Sequence, residues 1–257
     1  MRGLQTAIFS PLRCFSAALR FLTILPGLTR VPDEKRYFAG SAYYFTIVGL
    51  VSGILIGGCA LLCLRFAPPM LVGVGGAIWL SLISGFLHLD GLADTIDGFM
   101  SCRDRERTLA IMKDSRIGVM GAAAVISLLL FKTAAILSLP ANGFVPVIVV
   151  ACAAGRTAAV LMMCLLPYAR GEGGMGNLFF DGGSARSVSI ISAVILLAAM
   201  TLLTPERMLA MIIGFVLTIG LLCWWCMRKI GGYTGDTLGA ACELMETAIL
   251  TGAVVSF

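Results

Sequence analysis

The sequence predicts an all-α, polytopic membrane helix bundle of about six to eight transmembrane helices, with an N-terminal amphipathic segment. Of the 257 residues, 59% are apolar and only 13% are charged, and the mean hydropathy is +0.97. A soluble domain is excluded by this composition, and only helices satisfy the backbone of such long apolar runs in hydrocarbon. We therefore interpret residues 1–257 as a single integral membrane domain.

Apolar runs of spanning length, about 17–25 residues each, are the second observation behind this prediction. The fifth run is short and the last one carries acidic residues, so the sequence supports a range of six to eight spans. The predicted spans are 41–64, 70–88, 117–138, 144–166, 188–204, 207–227 and 236–256.

The basic residues predict the orientation of the bundle. Alternate connections, 26–40, 89–116, 168–187 and 228–235, together hold twelve Lys and Arg residues, whereas the intervening connections hold only two. Under the positive-inside rule the basic connections face the cytoplasm. We therefore predict a multi-pass protein of the cytoplasmic (inner) membrane with its active site on the cytoplasmic side. The net charge of +5 reflects these loops. Because the cations form no arm or stripe, a nucleic-acid partner is excluded.

The N-terminal segment, residues 1–40, is predicted to lie at the membrane interface rather than to be a signal peptide. Arg13 and Arg20 interrupt its apolar run, and no small-residue cleavage site follows. An amphipathic interfacial helix fits this pattern, and a tilted span is the alternative. Its apolar face comprises Leu4, Ile8, Leu12, Phe15, Leu19 and Leu22.

Three aspartates mark the end of an apolar run. Asp90, Asp94 and Asp97 are spaced i, i+4, i+7, which on a helix places them within roughly 60° of one another. Such a row of like charges is unfavourable, and a cation would relieve it. Mg²⁺ takes one or two carboxylates and shares the phosphates of a substrate. We predict that these aspartates bind Mg²⁺ and act in catalysis; a solvated acidic helix end is the alternative.

Cations follow the aspartates within 89–116, which we interpret as a cytoplasmic catalytic loop. Arginine side chains and a metal together can hold a diphosphate, and Arg105 and Arg107 fit either this role or that of membrane anchors. His88, the only histidine, is either a structural hydrogen bonder or a substrate ligand. The candidates here are His88, Arg103, Lys113 and Arg116 for substrate binding and Asp114 as a base.

Two further cytoplasmic connections, 168–187 and 228–239, are predicted to contact substrate. The first contains a formal GxGxxG pattern, but it follows a helix rather than a strand, so the dinucleotide-binding fold fails its context. A flexible glycine-rich lid fits better. The second leads into a helix that carries Asp236 at its shallow end, as a second candidate base. The remaining substrate-binding candidates are Arg170, Gly176, Asn177 and Thr234.

Deeper charges in the last helix are predicted to be structural. Charged groups at membrane depth are costly and normally have partners. Glu246 lies ten residues beyond Asp236, about 15 Å along a helix, and Arg156 lies at a similar depth in its own span. We therefore predict a buried pair between Arg156 and either Glu246 or Glu243.

Taken together, these motifs resemble the cobalamin synthase family, the adenosylcobinamide-GDP ribazoletransferases. The resemblance covers about residues 20 to 250 and includes the Arg-Asp-Arg stretch after Cys102. The other motifs that carry it are His88-Leu-Asp-Gly-Leu-Ala-Asp-Thr-Ile-Asp-Gly98, Ile111-Met-Lys-Asp-Ser-Arg-Ile-Gly118, Gly176-Asn177 and Gly232-Tyr-Thr-Gly-Asp-Thr-Leu-Gly-Ala-Ala-Cys-Glu243.

The resemblance implies a Mg²⁺-dependent membrane enzyme that completes the nucleotide loop of cobalamin. Such an enzyme joins adenosylcobinamide-GDP to α-ribazole, or to α-ribazole 5′-phosphate, and releases GMP with adenosylcobalamin or its phosphate. The expected partners are these two substrates and the lipid bilayer. A homo-oligomer, or a complex with other nucleotide-loop assembly enzymes, is compatible with the sequence.

Two other functions are compatible with parts of the sequence. The run Asp94-Thr-Ile-Asp97-Gly98 is similar to the opening of the CDP-alcohol phosphotransferase motif, but the rest of that motif is missing. A cation-coupled transporter would use Lys132, Arg156 and the two deep glutamates as a relay at the membrane midplane. The clustering of aspartates at one mouth of the bundle favours the enzyme.

Overall fold

The computed structural model describes residues 11–31, 34–140, 143–170 and 185–255, with the backbone alone for 34–36 and 39. These residues form α-helices and no β-strand, which confirms the predicted all-α class. The helices are α1 Pro11–Leu22, α2 Glu34–Ser41, α3 Phe45–Cys63, α4 Pro69–Leu82, α5 Leu87–Met100, α6 Arg105–Ile111, α7 Val119–Leu137, α8 Phe144–Leu165, α9 Ala185–Met200, α10 Pro205–Ile230 and α11 Gly235–Val254.

Five helices of the described residues are long and apolar enough to cross a membrane, and a bent pair, α4 with α5, could count as a sixth span. The helix α9 is apolar but only 16 residues long. This confirms a polytopic bundle. The count among the described residues is five, which is below the predicted range of six to eight, or six with the bent pair, which is its lower limit. The five are Ala42–Cys63, Val119–Ser138, Phe144–Leu165, Pro205–Ile230 and Gly235–Val254.

The predicted span 70–88 is wrong at its end, because the helix stops at Leu82. Gly85 and Phe86 adopt left-handed backbone angles, with φ of 60° and 62°. The amide of Phe86 donates to the carbonyl of Ser81 at 3.0 Å, the bond that closes a Schellman-type helix end. The chain then starts α5 at 84° to α4. The segment 89–116 is therefore largely helical, formed by α5 and α6, and not a loop.

The central element of the bundle is α8, which packs against α3 on one side and α11 on the other. A Cβ atom on Gly49 would lie 2.6 Å from the carbonyl oxygen of Cys152, and one on Gly53 would lie 2.5 Å from Cα of Val149. These glycines, spaced i, i+4, let the backbones of α3 and α8 touch, as small residues do in membrane helix pairs.

Four buried charges form a network in the core. Lys132 of α7 donates to Glu243 at 2.6 Å and to Glu246 at 2.7 Å. Arg156 of α8 donates to the other oxygen of Glu246, and Ser81 donates to Glu243 at 3.2 Å. The predicted pairing of Arg156 with Glu246 is confirmed, whereas the part of Lys132 was not predicted. Two cations balance two anions, so the network is neutral.

The N-terminal helix α1 is amphipathic, as predicted, although Leu4 and Ile8 lie outside the described residues. Its 12 residues cover about 18 Å, which is short of a bilayer core. Ala18 and Leu22 are buried against the bundle, while Arg20 is exposed. The described part of the helix therefore packs on the protein with one face and keeps charge on the other.

We expect Arg156→Ala to lower the free energy of unfolding by about 3–5 kcal/mol, because it leaves Glu246 short of a partner in a buried site. The double change Arg156→Met with Glu246→Gln leaves Lys132 and Glu243 paired and should cost less than Arg156→Ala alone. Thermal unfolding in detergent measures both. Arg65→Ala, an exposed cation, is the control, with an effect within about 0.5 kcal/mol. A double variant that loses the sum of its single variants would contradict the pairing.

Candidate active site

The aspartate helix α5 crosses α11 at two glycines. A Cβ atom on Gly91 would lie 2.7 Å from the backbone oxygen of Asp236, and one on Gly239 would lie 3.1 Å from Cα of His88. The two backbones are therefore in contact, which only residues without a side chain permit. This crossing brings the carboxylates of α5 next to the N-terminal turn of α11.

The three aspartates of α5 differ in exposure along the helix. Asp90 is exposed, whereas Asp94 and Asp97 are partly buried. The charges of Asp90, Asp236 and Asp97 repel the carboxylate of Asp94, and Arg170 attracts it. The predicted metal ligands of α5 therefore lie close to Asp236 and Arg170, which are distant from them in the sequence.

Asp97 is held by the N-terminus of α7. The backbone amides of Gly118 and Gly121 donate to its two carboxylate oxygens at 2.7 and 2.8 Å. A Cβ atom on either glycine would lie 2.4 Å from one of these oxygens, so both positions need glycine for this contact. Each oxygen keeps a second lone pair, and the carboxylate is fixed in direction. Nothing in the sequence predicts this contact, which joins residues 21 and 24 positions apart.

Asp236 and Arg170 form an ion pair at the mouth of the bundle. The Nη2 atom of Arg170 donates to Asp236 at 2.6 Å, and both side chains are 22% exposed. The Nε atom of Arg170 is buried and has no partner among the described residues. Arg170 therefore places a cation beside the aspartates and retains donor capacity.

Thr234 has a local role as the N-cap of α11. Its hydroxyl accepts from the amide of Thr237, and the hydroxyl of Thr237 accepts from the amide of Thr234 at 2.8 Å, which completes a capping box. Thr234 is fully buried, so the structure offers it as a positioning residue for Asp236, not as a surface for substrate.

The connection before residue 170 is fixed against the start of α11. Tyr168 and Tyr233 form an isolated parallel bridge, and a Cβ atom on Gly232 would lie 2.1 Å from the carbonyl oxygen of Pro167. Arg105 adds two hydrogen bonds of 2.7 Å, to the carbonyls of Ile230 and Ala169. These contacts give Arg105 a structural role that neither of its two predicted roles, phosphate binding and membrane anchoring, included.

The other predicted cations lie on the exposed connection from α5 to α7. The side chains of Arg103 and Lys113 are exposed. The Arg116 guanidinium donates to Asp114 at 3.0 and 2.6 Å. Hydrogen bonds from the Arg116 side chain and backbone lower the pKa of Asp114 to about 2. A carboxylate with so low a pKa is a weak base at neutral pH, which leaves Asp236 as the better placed candidate.

Known proteins are similar in sequence to this chain over nearly its full length. Residues 14–254 match the family model described as cobalamin-5-phosphate synthase. An adenosylcobinamide-GDP ribazoletransferase of Klebsiella pneumoniae is 40% identical over 243 residues, which are 93% of this chain and 98% of the relative. Relatives of the same name from Chlorobium phaeovibrioides (38%, covering 94% and 96%) and Clostridium botulinum (36%, covering 94% and 97%) are also similar. No solved structure matches this chain.

The chain belongs to the cobalamin-5-phosphate synthase family. The family resemblance predicted from the motifs is confirmed, and the protein is a transferase of cobalamin biosynthesis with transmembrane helices. Two substrate-binding candidates of this family member, Gly176 and Asn177, lie outside the described residues, with most of the connection 168–187.

The carboxylates of this enzyme fit Mg²⁺ by their chemistry. Carboxylate oxygens are the ligands that the ion prefers, and the mutual repulsion around Asp94 is what a cation would relieve. Within the described ranges, no three His, Cys, Asp or Glu side chains converge closely enough to enclose an ion by themselves. Because Mg²⁺ commonly uses one or two carboxylates together with water and substrate phosphates, a pair of these aspartates would suffice.

The contact between α5 and α11 can be tested with Gly91→Ala. Since the added Cβ would lie 2.7 Å from the backbone of Asp236, the helices must separate, and we expect turnover to fall at least roughly tenfold, as small displacements of catalytic groups do. Gly220→Ala is the matched control, because Gly220 also lies inside a helix, away from the site, and nothing lies within 4 Å of its Cβ position. Equal kcat values for the two variants would show that the close approach does not position the site.

Proposed function

We propose that this enzyme joins adenosylcobinamide-GDP to α-ribazole, or to its 5′-phosphate, in a Mg²⁺-dependent reaction at the cytoplasmic face of the inner membrane. The convergence of the α5 aspartates with Asp236 and Arg170 carries the proposal. It supplies acidic oxygens and a cation at one mouth of a membrane bundle. The names of relatives at 36–40% identity supply the substrates.

The proposed reaction is a displacement at phosphorus. A ribose hydroxyl of α-ribazole forms a new O–P bond to the phosphate that is esterified to cobinamide. The bond from this phosphorus to the oxygen that bridges the two phosphates breaks, and GMP leaves with the electron pair. The hydroxyl proton passes to a carboxylate. Such reactions depend mainly on in-line positioning and on neutralisation of charge.

The aspartates of α5 have the role of metal ligands in this proposal. Asp90 and Asp94 would hold Mg²⁺, and Asp97, already oriented by two backbone amides, has a free lone pair on each oxygen for the same purpose. A bound Mg²⁺ neutralises phosphate charge and orients the phosphate oxygens. Asp97 also ties α5 to the start of α7, so it supports the site even without a metal contact.

Asp236 is proposed as the acceptor of the hydroxyl proton. It lies at the helix crossing beside Asp94, whereas Asp114 lies on the connection between α5 and α7 and has a lowered pKa. Because Arg170 already binds one oxygen of Asp236, the carboxylate is oriented, and its other oxygen accepts no hydrogen bond from the described side chains. Arg170 then serves as a positioning residue as well as a cation for phosphate.

The diphosphate of the donor is proposed to lie against the cations around the site. Arg170 lies beside the aspartates, and Arg103, Lys113 and Arg116 lie on the exposed connection between α5 and α7. The direct contact proposed from the sequence for Thr234 is replaced by its capping role. His88 is buried beside the crossing and can contact only a substrate that enters the bundle.

We expect Asp90→Asn and Asp94→Asn to reduce kcat by at least roughly a hundredfold, because an amide keeps the volume but loses the charge that attracts Mg²⁺. The measurement is GMP release from adenosylcobinamide-GDP and α-ribazole by protein in liposomes, over a series of Mg²⁺ concentrations. Asp104→Asn is the matched control, since Asp104 caps α6 and asparagine caps equally well. Near-normal turnover in both site variants would contradict the metal assignment, and turnover with a CDP-alcohol alone would contradict the substrates.

The orientation can be tested with a natural cysteine. Cys102 is exposed just after α5, and Ser138 is exposed at the far end of α7. We expect an impermeant maleimide to label Cys102 only from the cytoplasmic side, and to label Ser138→Cys, made in a Cys102→Ser background, only from outside. Cys102→Ser alone gives the background signal. The reverse pattern would place the site away from its cytosolic nucleotide substrate.

A further inference from the structure

Arg105, the first residue of α6, joins two segments that are far apart in the sequence. Its Nε atom donates to the carbonyl of Ile230 at 2.7 Å, and its Nη2 atom donates to the carbonyl of Ala169 at 2.7 Å. Ile230 ends α10, and Ala169 directly precedes Arg170. Because the guanidinium is planar and rigid, one side chain fixes the positions of both carbonyls relative to each other.

The two segments held in this way also pair with each other next to the site. The amide of Ala169 donates to the carbonyl of Tyr233 at 2.8 Å, and the amide of Tyr233 donates to the carbonyl of Pro167 at 2.9 Å. Arg170 follows one segment directly, and Asp236 follows the other after three residues. These two side chains form the ion pair at the mouth of the bundle. The backbone that carries the ion pair is therefore one hydrogen-bonded unit.

Helix α6 is itself fixed to the end of the aspartate helix α5. A Cβ atom on Gly98 would lie 2.5 Å from Cγ of Met112 and 3.2 Å from the carbonyl oxygen of Thr108, so the two helices pack closely at this glycine. Met112 and Thr108 are both buried. Because Gly98 directly follows Asp97, the helix that begins with Arg105 is packed against the row of aspartates.

We infer that Arg105 is a positioning residue for the transfer reaction, which holds Arg170 beside the aspartates of α5. The inference rests on the proposed function, in which Arg170 orients Asp236 and is a cation for phosphate. Arg105 is anchored through α6 to the aspartate helix, and it binds the backbone next to Arg170. Since α11 is already held by its glycine contacts with α5, Arg170 is the group whose place depends on Arg105. The Nε and Nη2 atoms of Arg105 are both occupied by carbonyls, so it acts on the phosphates through Arg170.

The first test separates this role from a direct phosphate contact. Arg105 is exposed, so its variants should fold. We expect Arg105→Ala and Arg105→Lys both to lower kcat for GMP release roughly tenfold, because a lysine keeps the charge but not the planar pair of donors. Arg228→Ala is the matched control. It removes an exposed cation that lies over the ring of Trp224, and its kcat should stay within roughly twofold of the wild-type value. Full activity of Arg105→Lys would identify a point charge for phosphate and overturn the inference.

The second test combines Arg105→Ala with Arg170→Ala and measures GMP release under single-turnover conditions. If Arg105 acts through Arg170, the rate of the double variant should match that of Arg170→Ala alone within roughly twofold, because residues that act as a unit do not have independent effects. The same cycle with Arg105→Lys repeats the measurement with the charge retained. Losses that multiply would show that Arg105 acts independently of Arg170, as a general stabiliser of the bundle does, and would overturn the inference. Wild-type protein that releases no GMP would instead refute the proposed function, so the two failures are distinguishable.

Discussion

The buried ion pairs of Glu243 and Glu246 fix the rotation of α11, and the geometry of the site depends on that rotation. Asp236, Gly239, Glu243 and Glu246 follow one another at steps of three and four residues, so they share one face of the helix. When Lys132 and the partner arginine hold the deep end, the same face must point toward α5 at the shallow end. The distance from Glu243 to Asp236 is seven residues, or about 10 Å.

A buried network of charges costs desolvation free energy. It contributes by defining how the helices pack rather than by adding stability. Burying charges requires desolvation that their attraction barely repays, and well-packed apolar residues are often as stable. Two nitrogen atoms of Arg156, Nε and Nη2, are buried without a partner among the described residues, which adds to the cost. A helix held only by apolar contacts in a bilayer has little to define its rotation. The buried charges therefore fix the rotation of α11, and this rotation brings Asp236 next to the aspartates of α5.

The features predicted best from the sequence are those set by the cost of placing polar groups in lipid, namely the membrane spans and the pairing of a deep charge. Hydropathy located the long spans, because the cost of exposing polar backbone to lipid is local. Depth alone narrowed the partner of Arg156 to Glu246 or Glu243, and the structure shows Glu246. Hydropathy failed at the end of the span 70–88, because the residues that end α4, Gly85 and Phe86, lie within a continuous apolar run. The composition of such a run is the same whether the helix continues or turns.

Contacts between distant segments were beyond the sequence for a different reason. Asp97 looked equivalent to its neighbours by spacing, yet only the packing of α5 on α7 gives it two backbone donors. The position of Arg105 in the sequence predicted phosphate binding or membrane anchoring, but not its hydrogen bonds to the carbonyls of Ile230 and Ala169. The candidate residues of the site could be predicted from the sequence, but not the backbone amides and carbonyls that hydrogen-bond to some of them.

The row of aspartates along α5 links two regions of opposite character. Asp90, at one end, lines a largely apolar cleft, and Asp97, at the other, binds the start of α7, just after the basic connection. Seven residues, about 10 Å, separate them, with Asp94 between. An in-line displacement needs its nucleophile and leaving group on opposite sides of phosphorus. A row of carboxylates of this length would let metal binding and acceptance of the proton occur at different points of the displacement, with the basic connection at the Asp97 end placed to attract the anionic donor.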